Sequence, residues 1–512
     1  MAGAESPLIL GVSGLRGIVG ASLTPEVASR YAAAFGTWLG ERVSDSGPPL
    51  VVVGMDGRAG GDSIAFAALS GLLATGCRVY WLGVATTPSV GVSCDAMRAD
   101  GAVVVTASHN PQAWNGLKLL VRAQSHALAP ASDARGGPGV APVECSAPSE
   151  ELARDLVARF AEQRIRWVDG QRTGDVRWDN DAVAKHCLSV KRAIERLARR
   201  TWGEMLGQGA VRRVVTDSVN VSSSLIDRVF FASGPIECVQ LGASESGVFP
   251  HAPEPTAENL SGPGGLTEVV PGVGADIGFA QDPDGDRLAI VDERGWYIGE
   301  EYTLALCALS VLSLVEDPTG SVVVANLSTS RMVDDVAGRF GARVERTAVG
   351  EANVVERMKS LAASGERVVL GGEGNGGVIW PEVVYVRDSI GAMGLVLALM
   401  ARRSQRVSEL VAEIDSMGPG EGLGYAIEKR KVPIRSREDA APAVEALAAH
   451  FGRKEGATVD RQDGVRVDLG DEGAWVHVRA SNTEPIMRLI AEASSRERAS
   501  AILDEVGGLI SR

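Results

Sequence analysis

Two short runs hold side chains whose types and spacing could move a phosphoryl group. Thr106, Ala107, Ser108, His109, Asn110, Pro111 sets a serine hydroxyl beside an imidazole in a turn-forming context. Far downstream, Asp282, Pro283, Asp284, Gly285, Asp286, Arg287 spaces three carboxylates at alternate positions of a tight loop. Together they suggest a phosphorylatable serine facing a divalent metal. Each run alone has a plainer meaning. Ser or Thr before Asn and Pro is common turn chemistry, and Asp alternating around Gly also suits a solvated hairpin or a calcium loop. An EF-hand loop would accept Glu293 at its twelfth position, but Arg287 stands sixth, where that loop needs Gly.

Further runs accompany these two in order along the chain. They are Gly11, Val12, Ser13, Gly14, Leu15, Arg16, Gly17; then Asn115, Gly116, Leu117, Lys118; then Gly372, Glu373, Gly374, Asn375, Gly376, Gly377; and Arg479, Ala480, Ser481, Asn482, Thr483, Glu484, Pro485, with Arg488 behind. Set beside the serine and aspartate runs, they resemble the loops of the α-D-phosphohexomutases, the superfamily of phosphoglucomutase, phosphomannomutase and phosphoglucosamine mutase. A weaker match, Thr347, Ala348, Val349, Gly350, is equally compatible with a plain turn.

The resemblance implies a reaction and roles. Phosphorylated Ser108 gives its phosphoryl group to a hexose monophosphate, the bisphosphate turns end for end, and the other phosphate returns to Ser108. Hexose 6-phosphate and 1-phosphate are thereby interconverted, with hexose bisphosphate as intermediate and activator. Ser108, Asp282, Asp284 and Asp286 would hold one Mg²⁺, a hard cation that prefers oxygen ligands. Lys118 and His109 are candidates for proton transfer and Arg16 for a substrate clamp. Among substrate-binding residues, Arg287 could steady an anionic oxygen beside the phosphoryl group, and Gly350, Glu373 and Asn375 fall on the sugar side, a carboxylate at 373 being able to accept two hydroxyl hydrogen bonds. Arg479, Ser481, Asn482, Thr483 and Arg488 would cradle the phosphate away from the metal. The chain departs from the commonest pattern in having Asn375 for Ser and Gly377 for His, so no acid/base role of that His carries over. This variant loop resembles that of archaeal-type phosphoglucosamine mutases and favours the amino sugar, with phosphomannomutase or phosphoglucomutase as alternative. Two rivals stand outside the class: a haloacid dehalogenase-like phosphatase using Asp282, and a sugar-phosphate-binding protein without turnover.

The whole chain sets bounds on these readings. Its 512 residues allow several domains, and 45% hydrophobic with 23% charged residues is ordinary globular composition. A net charge of −14 argues against nonspecific nucleic-acid or acidic-membrane binding, so an anionic substrate needs local Arg and Lys clusters. The six cysteines show no metal or redox spacing and are expected as reduced core residues. Neither a signal peptide nor a membrane span is apparent, so a cytoplasmic monomer or homodimer with a small phosphosugar partner is expected.

The elements that must position these groups read as α/β. Short β-branched runs at 50–53, 78–82, 102–105, 213–216, 321–325 and 367–370 predict buried strands of mostly parallel sheets. Periodic segments at 25–39, 61–74, 151–163, 181–198 and 390–402 predict helices between them. Residues 123–149 suggest a mobile surface loop. After Gly420 the texture changes, with strands at 464–469, 474–478 and 487–492, a loop from Arg479 and a helix at 495–509. The resemblance to the phosphohexomutases implies three similar mixed-sheet α/β domains and a smaller α+β domain around a central cleft, divided at 1–168, 169–298, 299–412 and 413–512.

Overall fold

The three apolar runs of the first third form strands Leu50–Met55, Arg78–Val84 and Gly101–Val105, paired in parallel. A fourth strand, Trp114–Val121, returns antiparallel against the third. The same order recurs with Arg213–Asp217, Glu237–Leu241, Ile277–Gln281 and Leu288–Asp292, and again with Val322–Asn326, Arg343–Thr347, Val368–Glu373 and Gly377–Ile379. In each unit the first strand is flanked by the second and third, and the fourth runs antiparallel beyond the third. The first unit adds Ile9–Gly11 and Gly14–Ile18 at one edge and Val176–Trp178 at the other. The sheets are therefore mixed, as the expected architecture had them, although the apolar runs alone read as mostly parallel strands. Asn115, Gly116 and Lys118 interrupt the apolar pattern of the first antiparallel return, and glycine opens the last. The computed structural model describes residues 8–12, 14–43, 47–122, 143–207, 211–232, 234–418, 424–434, 440–470, 473–481 and 486–510.

Helix starts follow local chemistry. Thr24, Thr86 and Ser149 cap Pro25–Arg42, Thr87–Ala96 and Glu150–Ala161 by accepting a first-turn backbone N–H. Helices Glu300–Leu314 and Ser389–Arg403 are buried on nearly every side, and with Ala182–Ala198 they form one apolar core running through all three units. At its centre Ser89 Oγ lies 2.9 Å from His186 Nδ1, and His186 Nε2 lies 3.0 Å from Asp388 Oδ2. The three residues are buried, and the series joins helices from different parts of the chain. Among the described residues no helix is long and apolar enough to cross a membrane. The cysteines are free, and all but Cys238 are buried.

Residues 143–149 are packed, in contrast to the expected loop. Ser146 bridges Val121 and Tyr385, while Lys359 Nζ donates to Glu144 O at 2.6 Å and Ser146 Oγ at 2.7 Å. The preceding 123–142 lie outside the described residues. The last domain is a five-stranded antiparallel sheet, ordered Ala426–Pro433, Ile486–Ala493, Trp475–Ala480, Val465–Asp468, Thr458–Asp460, with helices Ala440–Phe451 and Arg496–Ile510 over its own core. Polar contacts hold it to the third unit: Arg466 Nη1 donates to Leu327 O at 2.6 Å, and Glu492 Oε1 accepts from Arg331 N at 3.1 Å.

His477 lies in the same joint, Nδ1 2.9 Å from Ser328 Oγ and Nε2 2.7 Å from Asp463 O. Burial lowers its pKa from 6.5 to about 4. Below pH 6.5 the unfolded chain takes up a proton that the folded chain refuses, so stability falls on acidification until the folded ring protonates too. That loss amounts to about 3 kcal/mol. His477→Gln should flatten the decline in unfolding free energy between pH 6.5 and 4; an unchanged slope would assign it elsewhere.

Candidate active site

In all three α/β units the connection between the third strand and its antiparallel return carries one of the singled-out runs: 106–113, 282–287 and 374–376. Each lies at the carboxyl end of a parallel strand, where open α/β sheets present their ligand loops. Ser108 is buried and left-handed at φ +50°. Its N–H donates to Thr106 Oγ1 at 2.8 Å, and Thr106 Oγ1 donates to Asp56 Oδ2 at 2.7 Å. Arg58, salt-bridged to Asp56 at 2.8 Å, donates to the carbonyls of Ser108 and Asn110 and to that of Trp114 at 2.8 Å. The strained turn is thus held from beneath by a buried ion pair.

The hydroxyl of Ser108 donates to Asp282 Oδ2 at 2.7 Å, so the two distant runs meet. Asp282, Asp284 and Asp286 are fully buried, and each places a carboxylate oxygen within 4.8 Å of the others'. Asp282 Oδ1 accepts from the N–H groups of Asp286 and Arg287, each at 3.1 Å. Gly285 turns the loop at φ +66°, and a Cβ there would meet Thr86 at 2.7 Å. Thr87, the next residue, donates from Oγ1 to Asp284 Oδ2 at 2.6 Å. Lys118 Nζ bridges Asp284 Oδ2 and Asp286 Oδ2 at 2.7 Å each. Burial and the neighbouring acids raise the pKa of Asp282 well above the usual carboxylate range. Burial presses the same way on Asp286, but Arg387, Lys118 and Arg287 hold it well below. Desolvation of Lys118 is outweighed by Asp284 and Asp286, so it stays charged. Asp284 Oδ1 and Asp286 Oδ1 are buried without a hydrogen-bond partner. Such orphaned oxygens, beside a third carboxylate, fit a hard divalent cation.

Arg16 donates to Asn110 Oδ1 at 3.1 Å, and His109 Nδ1 lies 3.4 Å from Ser108 Oγ. Burial, with the charges of Arg287 and Arg16, drives the His109 pKa down to about 3, which keeps the ring neutral. On the third loop, Glu373 Oε1 accepts from Asn326 Nδ2 at 2.8 Å, and Asn375 Nδ2 lies 3.5 Å from Oε2. Gly350 caps helix Glu351–Ala363 at φ +129°.

The C-terminal residues Arg479, Ser481 and Arg488 lie on and beside the sheet of the last domain. Arg479 lies within its strand, not in a loop, directly opposite Arg488, which also faces Lys431 on the next strand. Arg479 Nη1 is 3.3 Å from Asp463 Oδ2, which accepts from Val349 N at 3.2 Å beside Gly350. Ser481 is buried and donates its N–H to Ile486 O at 2.8 Å. Asn482 and Thr483 lie outside the described residues.

Sequence models of the phosphoglucomutase/phosphomannomutase family match in series: alpha/beta/alpha domain I over residues 7–133, domain II over 205–295, domain III over 300–417 and the C-terminal domain over 432–508. A "Phosphoglucomutase/phosphomannomutase" of Thermococcus kodakarensis is 36% identical over 97% of both chains. The chain belongs to the α-D-phosphohexomutase superfamily. A "Probable phosphoglucosamine mutase" of Methanopyrus kandleri is 32% identical, covering 98% of this chain and 97% of its own. Among solved structures, a "putative phosphomannomutase" from Thermus thermophilus superposes with a TM-score of 0.75 at 26% identity, covering 99% of this chain and 100% of its own.

Sequence reasoning missed several residues of this phosphohexomutase site: Asp56, Arg58, Thr87, Asn326, Glu351 and Arg387. Arg387 Nη2 donates to Asp286 Oδ2 at 2.6 Å and Nη1 to Glu373 Oε2 at 2.8 Å. Asp388 and Ser389 before a long apolar run were a helix-start signal that could have drawn attention to it. The brace beneath Ser108 is directly testable. Arg58→Met leaves Asp56 buried without its partner and should lower the unfolding free energy by about 3–5 kcal/mol; a change under about 1 kcal/mol in denaturant titration would show that the pair does not hold the loop.

Proposed function

We propose that this enzyme interconverts the 6- and 1-phosphates of a hexose through phosphorylated Ser108, and that glucosamine phosphate is its substrate. The observation that carries this reading is the meeting of Ser108 Oγ with Asp282 at 2.7 Å, beside two buried carboxylate oxygens that lack a hydrogen-bond partner. Asp282, Asp284, Asp286 and a phosphoserine oxygen would hold Mg²⁺, which polarises the phosphoryl group when bound. Lys118, ion-paired with Asp284 and Asp286, stays the candidate for proton transfer. Neutral His109 serves as a hydrogen-bond partner at Ser108 Oγ. Arg16 and Arg287 bring positive charge to the same neighbourhood, as their effect on His109 requires, and suit an anionic transition state.

The distal phosphate belongs at the row of Lys431, Arg488 and Arg479 together with Ser481, Asn482 and Thr483. Like charges directly opposite on neighbouring strands are unfavourable, and an anion relieves them. Glu373 and Asn375 face the sugar hydroxyls, with Gly350 at the edge. The expected division at 1–168, 169–298, 299–412 and 413–512 gives each domain one loop, although edge strand Val176–Trp178 joins the first sheet and helix Val407–Asp415 crosses the last boundary, which moves both boundaries further along the chain. Hexose bisphosphate is the intermediate that reorients among them. The amino-sugar preference rests on the Glu373, Gly374, Asn375, Gly376, Gly377 loop and on the name of the Methanopyrus relative; the Thermococcus relative's name supports the phosphomannomutase or phosphoglucomutase alternative.

The test is a coupled initial-rate panel with Mg²⁺ and trace bisphosphate, comparing the 1-phosphates of glucosamine, mannose and glucose. Glucosamine 1-phosphate should be turned over fastest, and preference for another sugar would reassign the substrate within the same mechanism. Ser108→Ala should abolish turnover and incorporation of phosphate into the protein. Retained activity in that variant would overturn the phosphoserine route.

A further inference from the structure

Arg387 is held more tightly than a surface arginine needs. Its N–H donates to Glu351 Oε1 at 3.1 Å, and the next residue, Asp388, donates its N–H to Val378 O at 2.7 Å. Asp388 Oδ1 then caps the following helix by accepting from Ile390 N at 2.9 Å. Ser389 Oγ reaches across to the second unit, to Gln281 Oε1 at 2.5 Å and Gly285 O at 2.7 Å. The segment 387–389 is thereby clamped between the aspartate loop and the sugar-side loop, and the guanidinium projects from a fixed base.

That guanidinium divides itself between the two loops. One nitrogen holds Asp286 Oδ2 and the other holds Glu373 Oε2, while Nε lies 3.5 Å from Glu351 Oε2. Its stem fills the space beside Gly377: a Cβ at 377 would lie 2.3 Å from Arg387 Cδ and 3.2 Å from Cγ. The backbone at 377 lies outside the left-handed region, so glycine is required there for room and not for conformation.

We infer that Arg387 is a positioning residue that couples the cation site to the sugar site, and that Gly377 exists to let its side chain through. Held by Oδ2, Asp286 keeps Oδ1 for the cation; held by Oε2, Glu373 keeps its orientation toward the sugar. The inference rests on the assignment of these loops proposed above. It makes a signature that a merely structural residue would not: loss of the guanidinium removes a positive charge from the aspartate cluster while it releases Glu373. Cation binding should tighten as sugar binding weakens.

The experiment compares the full-length wild type with Arg387→Met, Arg387→Ala, Gly377→Ala and the double variant Gly377→Ala, Arg387→Ala. Mn²⁺ affinity is read by calorimetry, KM and kcat with the preferred sugar 1-phosphate, and melting temperature as a check on folding. Arg387→Met should bind Mn²⁺ about threefold or more tightly and show a KM raised about tenfold. Gly377→Ala should raise KM by displacing Arg387, and the double variant should be no worse than Arg387→Ala alone. Parallel weakening of cation and sugar, unchanged values for both, or multiplying effects of the two substitutions would overturn the coupling alone. A wild type that neither binds Mn²⁺ nor turns over a hexose phosphate would overturn the assignment of the site, and the coupling with it.

Discussion

Three carboxylates from one six-residue loop are buried together, and that single electrostatic problem organises the molecule. Burying an isolated carboxylate is so unfavourable that it protonates or finds a partner. From within, the loop supplies the two N–H groups that Asp282 Oδ1 accepts and the guanidinium of Arg287, whose Nε lies 3.9 Å from Asp286 Oδ1. Compensation arrives from the neighbouring units: Lys118 from the antiparallel return of the first, Thr87 from the start of a helix, and Arg387 from just before another. Lys118, Arg387 and Arg287 all draw on the cluster, yet two of its oxygens, Asp284 Oδ1 and Asp286 Oδ1, still lack a hydrogen-bond partner. The site therefore asks for a further cation at the point that Ser108 faces.

Such compensation works only if the three units are fixed relative to one another. The continuous apolar core does this, because helices Glu300–Leu314 and Ser389–Arg403 bury almost every face and pack the units around a shared centre. The Ser89, His186, Asp388 series adds directionality at that centre, where apolar packing alone would tolerate sliding. Asp388 serves both tasks, since it caps helix Ser389–Arg403 and directly follows Arg387.

Chemistry-bearing loops were legible in the sequence because their residues are local: Ser108 with its turn, the alternating aspartates, Glu373 among glycines. Parallel strands were legible for a similar reason, as each is a short unbroken β-branched run. The antiparallel returns were less so, for Lys118 and Asn115 break the pattern that identifies a buried strand. The threefold recurrence was invisible in letters, since it is a recurrence of strand order. Arg58 and Arg387 escaped because their meaning lies in partners far along the chain. Arg387 in particular depends on an absence, the missing side chain at Gly377, which no propensity registers.

The fourth domain obeys a different rule. It has its own core, and polar contacts carry its joint to the third unit: Arg466 with Leu327, His477 with Ser328, Arg331 with Glu492, and Tyr425 with Asp335 at 2.6 Å. A polar joint can open by exchanging its hydrogen bonds for water, whereas separating the first three units would expose apolar core. The first three units thus share one apolar core, whereas the fourth keeps its own and meets the third through hydrogen bonds. One line of contacts still runs across the joint, from Arg479 through Asp463 to Val349, and through Gly350 to Glu351 and Arg387. The cationic row of the fourth domain and the aspartate loop are therefore ends of one connected polar network, and Arg387 is where that network meets the buried carboxylates.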